Sequence, residues 1–217
     1  MKFIPNIRSR PDPADAIPKK HKRFFTGIRK LPAPWGPTSA VWPESHDPGD
    51  NYLSVVNLNK VLNPGVKGSL NYHTRKELTD EGMSDDWLYL EFNPEKVDYA
   101  ALVNSAFERY VTSLGAYVGS IEDQQSMFKH FNRWQRSRNN YRQDVFRIQA
   151  INYFDRLLCK RAFGLRPEQV VKRLSKGVER AALINDGALI IVTSKVPNLK
   201  ESDAIERKIR PLLLAKK

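Results

Sequence analysis

The residues best suited to chemistry lie between Phe128 and Arg142, where aromatic and basic side chains alternate. Arg133, Arg136, Arg138 and Arg142 supply guanidinium groups, and Trp134 and Tyr141 supply flat faces between them. Arginines can meet phosphates while aromatic rings stack on bases, so the segment is a candidate nucleic-acid contact. A second reading starts from spacing. Phe131, Trp134 and Arg138 fall at i, i+3 and i+7, so on a helix the aromatics face a core and the arginines face solvent or an acidic neighbour. The same Trp, Tyr and Arg side chains are also the types that anchor protein interfaces. Asp85 and Asp86 form an adjacent acidic pair that could join such a contact. On a strand they point apart, so capping or solvation explains them as well as acid–base work or Mg²⁺ binding does.

Other chemistry is weakly signalled. His21, His46, His73 and His130 stand alone, without the spacing of a zinc motif, and Cys159 sits among Leu157, Leu158 and Phe163, where a buried, inert thiol is expected. Glu122-Asp123 repeats the adjacent-acid pattern. Asn71-Tyr72-His73-Thr74-Arg75 gathers polar groups, but beside a strand end where such residues cap or solvate. There is no Gly-rich dinucleotide fingerprint, no phosphate-binding loop and no nucleophile elbow. No metal or cofactor is therefore expected, and catalysis is not; an enzyme would need a site assembled from distant positions.

The elements that would position these groups read as α+β. Nine prolines within residues 1–50 argue against a long helix or central strand there, so an extended basic arm is expected, held to the body by Phe24, Phe25, Trp35 and Trp42. Strands are expected at 52–58, at 68–72 after Pro64-Gly65, and at 87–92, where Leu88, Leu90 and Phe92 share a face. Asp98 caps a helix reaching Leu114, stopped by Gly115. Residues 124–177 read as a helical connector, with one helix running through Val145, Ile148, Ile151 or Asn152, Asp155 and Leu158 to Gly164 and another from Pro167. Asn185-Asp186-Gly187 marks a hairpin, and Asn198 with Glu201 a capping box. The expected result is two β-then-α units of antiparallel strands with packed helices, joined by the connector. They form one domain over residues 51–217, divisible into lobes 51–123 and 124–217, preceded by the arm at 1–50.

Charge is segregated along the chain. Residues 36–123 hold 6 Lys and Arg against 14 Asp and Glu, a net of −8; residues 124–187 hold 14 against 5, a net of +9, within an overall +12. Such polarity points to an anionic or acidic partner, or to pairing within the chain. One cysteine in 217 residues excludes a disulfide framework and fits a cytoplasmic setting. The N-terminus lacks the apolar run of a secretory signal, and no stretch approaches the ~20 apolar residues of a membrane span, so no membrane partner is expected.

The run from Tyr153-Phe154-Asp155 to Cys159, Arg161-Ala162-Phe163-Gly164-Leu165-Arg166-Pro167-Glu168-Gln169, the stretch Leu183 to Val192, and Asp85-Asp86-Trp87-Leu88-Tyr89-Leu90-Glu91-Phe92 resemble, in style and order, small bacterial immunity proteins encoded beside polymorphic toxins. The resemblance covers about half of the chain and carries no diagnostic motif, so it assigns no residue a role. It implies a non-enzymatic α+β protein that blocks the active site of a cognate toxin. The basic charge departs from the acidic character common in nuclease inhibitors, unless the acidic stretch 77–98 makes the contact. Protein binding is thus the leading expectation and nucleic-acid binding the alternative.

Overall fold

The structure is a computed structural model that describes residues 2–39, 41–49, 51–137 and 140–214. Its centre is an eight-stranded antiparallel sheet in the order β2-β3-β4-β1-β5-β6-β8-β7. The strands are β1 (Phe3–Ser9), β2 (Leu53–Asn57), β3 (Val66–His73), β4 (Asp86–Phe92), β5 (Val118–Asp123), β6 (Ile151–Asp155), β7 (Arg180–Ile184) and β8 (Gly187–Ile191). Helices α1 (Ile17–Ile28), α2 (Tyr99–Ala101), α3 (Phe107–Leu114), α4 (Gln124–Ser137), α5 (Arg156–Phe163), α6 (Pro167–Leu174) and α7 (Leu199–Leu213) pack around it. The α+β class is as the sequence indicates.

The N-terminal segment corrects the sequence reading most sharply, because β1 lies inside the sheet between β4 and β5. Pro5 cannot donate to a ladder. The β1–β4 pairing passes from Phe3↔Phe92 to Asn6↔Tyr89 without it, while on the other side Pro5 keeps its place opposite Ile121. One absent donor is thus absorbed within a seven-residue strand. Pro18 occupies the first turn of α1, where a missing N–H costs nothing. Ile17, His21, Phe24, Phe25 and Ile28 then form a buried face at helical spacing. A Cβ on Gly27 would meet Ser113 Oγ at 1.9 Å, so α1 and α3 cross at van der Waals contact only because residue 27 is glycine.

The Asp98 cap holds, its side chain accepting from Ala101 N, and the helix it opens passes through a π-turn at Leu102–Ala106 before α3 ends on Gly115 in the left-handed conformation. The hairpin and the capping box are also as expected. Asn185 and Asp186 take φ of 45° and 61° between the paired Ile184 and Gly187, and Asn198 exchanges hydrogen bonds with Glu201 at the start of α7. The connector is not all helix. Ile151–Asp155 pairs with β5 and β8 as strand β6, and Asp155 then caps the separate helix α5. Ile151, Asn152, Tyr153 and Phe154 are all buried, and such an uninterrupted run carries no period to separate strand from helix. β5 was not anticipated. The sheet therefore runs continuously through residues 3–9, 53–123 and 151–191, across the boundaries drawn at 50 and 123.

Alternation divides the sheet into two faces. Ile7 and Gly119 face Phe107 and Val111 of α3, in the main core. Asn6 and Arg8 of β1, Trp87 and Tyr89 of β4, and Val118, Ser120 and Glu122 of β5 face the other way, toward α4.

Candidate functional site

Beneath α4, that second face bounds a cavity of about 510 Å³. Its floor is Arg8, Trp87, Tyr89, Ser120, Glu122 and Asn152; its cover is Met127, Phe128, Phe131 and Trp134 of α4, and its side is Tyr141 with residues 144–147. Volume and aromatic lining match those of small-ligand sites. Glu122 accepts a hydrogen bond from Ser120 Oγ at 2.8 Å. Burial pushes its carboxyl above the usual carboxylate range, against the pull of Ser120, Arg8 and Asn6.

Two buried clusters fix the neighbouring backbone. Asp85 is fully buried and accepts from Tyr117 Oη at 2.5 Å and Arg142 Nε at 2.9 Å, with Arg8 Nη1 3.6 Å away. Arg142 Nη1 also donates to Thr79 O at 2.6 Å, and Arg8 Nη1 to Gly82 O at 3.0 Å. Arg8 lies over the Tyr141 ring, 4.2 Å from its centroid. Asp86, also fully buried, accepts from Lys20 Nζ at 2.7 Å, from both terminal nitrogens of Arg75 and from His73 N. Neighbouring acids on one strand thus point apart, as alternation requires, and each meets its own cations.

α4 is held differently. Among its residues, only Ser126 is buried. Lys129 Nζ donates to Asp203 of α7 at 2.6 Å, His130 Nε2 lies 3.1 Å from the same carboxylate, and Arg147 donates to it at 2.7 Å. These cations hold the Asp203 carboxyl well below the usual range. Phe128 is 72% exposed, Phe131 47% and Met127 39%. Phe131 and Trp134 stack with ring centroids 6.1 Å apart, and Arg133 lies over Phe146.

The sequence candidates therefore separate into three groups. Trp134 and Tyr141 meet in the cavity, which the spacing did not reveal. Arg133 and Arg136 lie on the exposed side of α4. Arg142, Asp85 and Asp86 are corrected: each is buried and engaged inside the molecule, so none presents itself to a partner. Arg138 lies outside the described residues. The helical aromatics do not enter the main core as periodicity suggested, because the sheet face below α4 is polar at Asn6, Ser120 and Glu122 and leaves a cavity instead of an apolar seat. The grouping of Arg8, Trp87, Tyr89 and Glu122 escaped the sequence reading because three strands distant in sequence bring them together. The one legible sign was the alternation in Val118-Gly119-Ser120-Ile121-Glu122, which sets polar groups against the core side.

The other singled-out groups serve the fold. Cys159 is buried, its thiol pushed up to about 12 and directed at Phe154 O, 3.6 Å away. His21 bridges Tyr72 Oη and Pro43 O at 3.1 and 2.7 Å. Among the described residues, no three His, Cys, Asp or Glu side chains gather as a metal site, and no helix is long and apolar enough to cross a membrane. Comparison with models of protein families, with curated proteins and with solved structures gave no significant match.

Proposed function

We propose that the protein acts by binding another protein through the solvent-exposed side chains of α4, and that the partner, in keeping with the resemblance to immunity proteins, is a cytoplasmic toxin whose active site is blocked on binding. The observation that carries this reading is the exposure of Met127, Phe128 and Phe131, which cover the cavity yet stay open to solvent, on a helix whose other side carries the exposed Arg133 and Arg136. Exposed Phe and Met flanked by Arg have the composition of interface anchors and cost solubility unless something covers them.

Nucleic acid is the second reading, favoured by the net charge of +12. It is weaker here because, within residues 128–142, Lys129 and Arg142 are already committed to Asp203 and Asp85, which leaves Arg133 and Arg136 among the described residues to meet phosphates. A photo-reactive phenylalanine analogue at position 128, activated in cells, separates the two. An adduct with a single polypeptide is expected, and co-expression of this chain should restore the growth of cells that the crosslinked polypeptide alone arrests. Adducts with nucleic acid instead, together with submicromolar nucleic-acid binding that survives physiological salt, would overturn the proposal.

A further inference from the structure

The sheet ends at β2, and the register of that strand fixes which of its main-chain groups are left over. Leu53 stands opposite His73 and Val56 opposite Leu70, without a bulge between them. Thr74 N donates to Tyr52 O and Leu58 N to Gly68 O, both at 2.9 Å, so the even-numbered residues of β2 turn their N–H and C=O groups toward β3. Those of Leu53, Val55 and Asn57 therefore point out of the sheet, where no other described segment bonds to them. Natural edges are guarded by a charge, a proline or a bulge. β7, at the far edge, opens on Arg180, whereas β2 reads Leu-Ser-Val-Val-Asn and carries none of these. Val55 is 59% exposed, and Tyr52 just before the strand is exposed as well.

We propose that β2 pairs with β2 of a second copy of this chain, antiparallel about a two-fold axis at Val55, so that two eight-stranded sheets become one. An antiparallel edge is its own complement. With Val55 opposite its counterpart, the outward groups of Leu53 meet those of Asn57 in the other copy, and all three outward residues are paired. A shift of one residue would set them against groups already turned toward β3, and a shift of two would leave one residue of each strand without a mate. The ends agree in charge. Lys60 is exposed beyond one end of β2 and Glu44 and Asp47 before the other, and the two-fold brings the unlike ends together. α4 lies over β4, β1 and β5, so this edge is separate from the surface assigned to a toxin.

Sedimentation of the purified full chain tests the pairing with no other protein present. The mass should rise from one chain toward two as concentration is raised to about 200 µM, as mass action requires. Val55→Pro removes one outward N–H and no bond to β3, at an edge position where proline is tolerated, so the variant should keep its cooperative thermal transition and sediment as a monomer. Val55→Lys, which leaves the main chain unaltered, should do the same. Val55→Cys places two thiols across the axis with Cα atoms about 5.5 Å apart, within disulfide reach. Oxidation by air with copper phenanthroline should then link the copies through residue 55, while Leu183→Cys, exposed on the opposite edge, should stay unlinked. A single-chain mass at about 200 µM, a dimer that survives Val55→Lys, or equal crosslinking through residues 55 and 183 would each overturn the assignment.

Discussion

Asp86 receives four hydrogen bonds, from Lys20, from His73 N and twice from Arg75, with no exposure to solvent. Burial pushes the Lys20 ammonium below its ordinary range, and Asp86 opposes the shift. Removing one partner from a buried cluster strands the others, at a cost of about 3–5 kcal/mol. Asp86→Ala should lose that much stability in urea denaturation; a loss below about 1 kcal/mol would show that Lys20 and Arg75 are solvated in its absence. Glu122 has the opposite sign. Its carboxyl is raised in the folded state, so its favourable contribution is complete below the unfolded value near 4.5 and is lost as pH rises through the folded value. Glu122→Gln should therefore gain stability at pH 7.5, about 2–4 °C in Tm for roughly 1 kcal/mol in a chain of this size, and that gain should disappear by pH 4. A Tm difference independent of pH would contradict the burial of a charged carboxyl. The sequence marked Asp86 as a contact candidate and Glu122 only as one of an adjacent pair, although Asp85-Asp86 and Glu122-Asp123 are alike as pairs of acids. Only the strands that face them distinguish a paired carboxylate from an unpaired one.

At the scale of elements, features governed by neighbours in sequence were legible. The caps at Asp98 and Asn198, the Asn185-Asp186 turn and the alternation of β4 all depend on residues within four positions. Features governed by distant pairing were not. β6 is a strand because β5 and β8 flank it, and β1 is central despite Pro5 because β4 and β5 hold the remaining ladder. α1 was legible in principle, since Ile17, His21, Phe24, Phe25 and Ile28 keep helical spacing, but the prolines around it were read as barriers when Pro18 starts the helix. β1 also makes a direct test. Deleting residues 1–9 removes a strand between β4 and β5 and exposes Leu88, Leu90 and Ile121 to solvent. The truncated chain should not fold, as judged by loss of the cooperative thermal transition. A cooperative transition near that of the intact chain would mean that residues 1–9 are an appendage after all.

Over the whole molecule, part of the charge segregation of the sequence is taken up by folding. Lys2, Arg8 and Lys20 from the basic start, and Arg142, Arg161 and Arg180 from the basic second half, pair with Glu91, Asp85, Asp86, Asp80 and Glu108 of the acidic middle. The polarity that suggested an anionic partner thus serves first to join the two halves of one sheet. What remains for a partner is α4, which contributes little to the core and whose Met127, Phe128 and Phe131 stay partly open to solvent over the cavity. The most direct test is the affinity of the crosslinked partner for the wild type and for Phe128→Ala/Phe131→Ala, measured by calorimetry beside thermal unfolding of both. The double variant should bind at least a hundredfold more weakly, equivalent to about 2.7 kcal/mol, with stability changed by no more than about 0.5 kcal/mol, as for exposed positions. Undiminished affinity, or a fall in affinity matched by a fall in stability, would contradict the assignment of α4 as the binding surface.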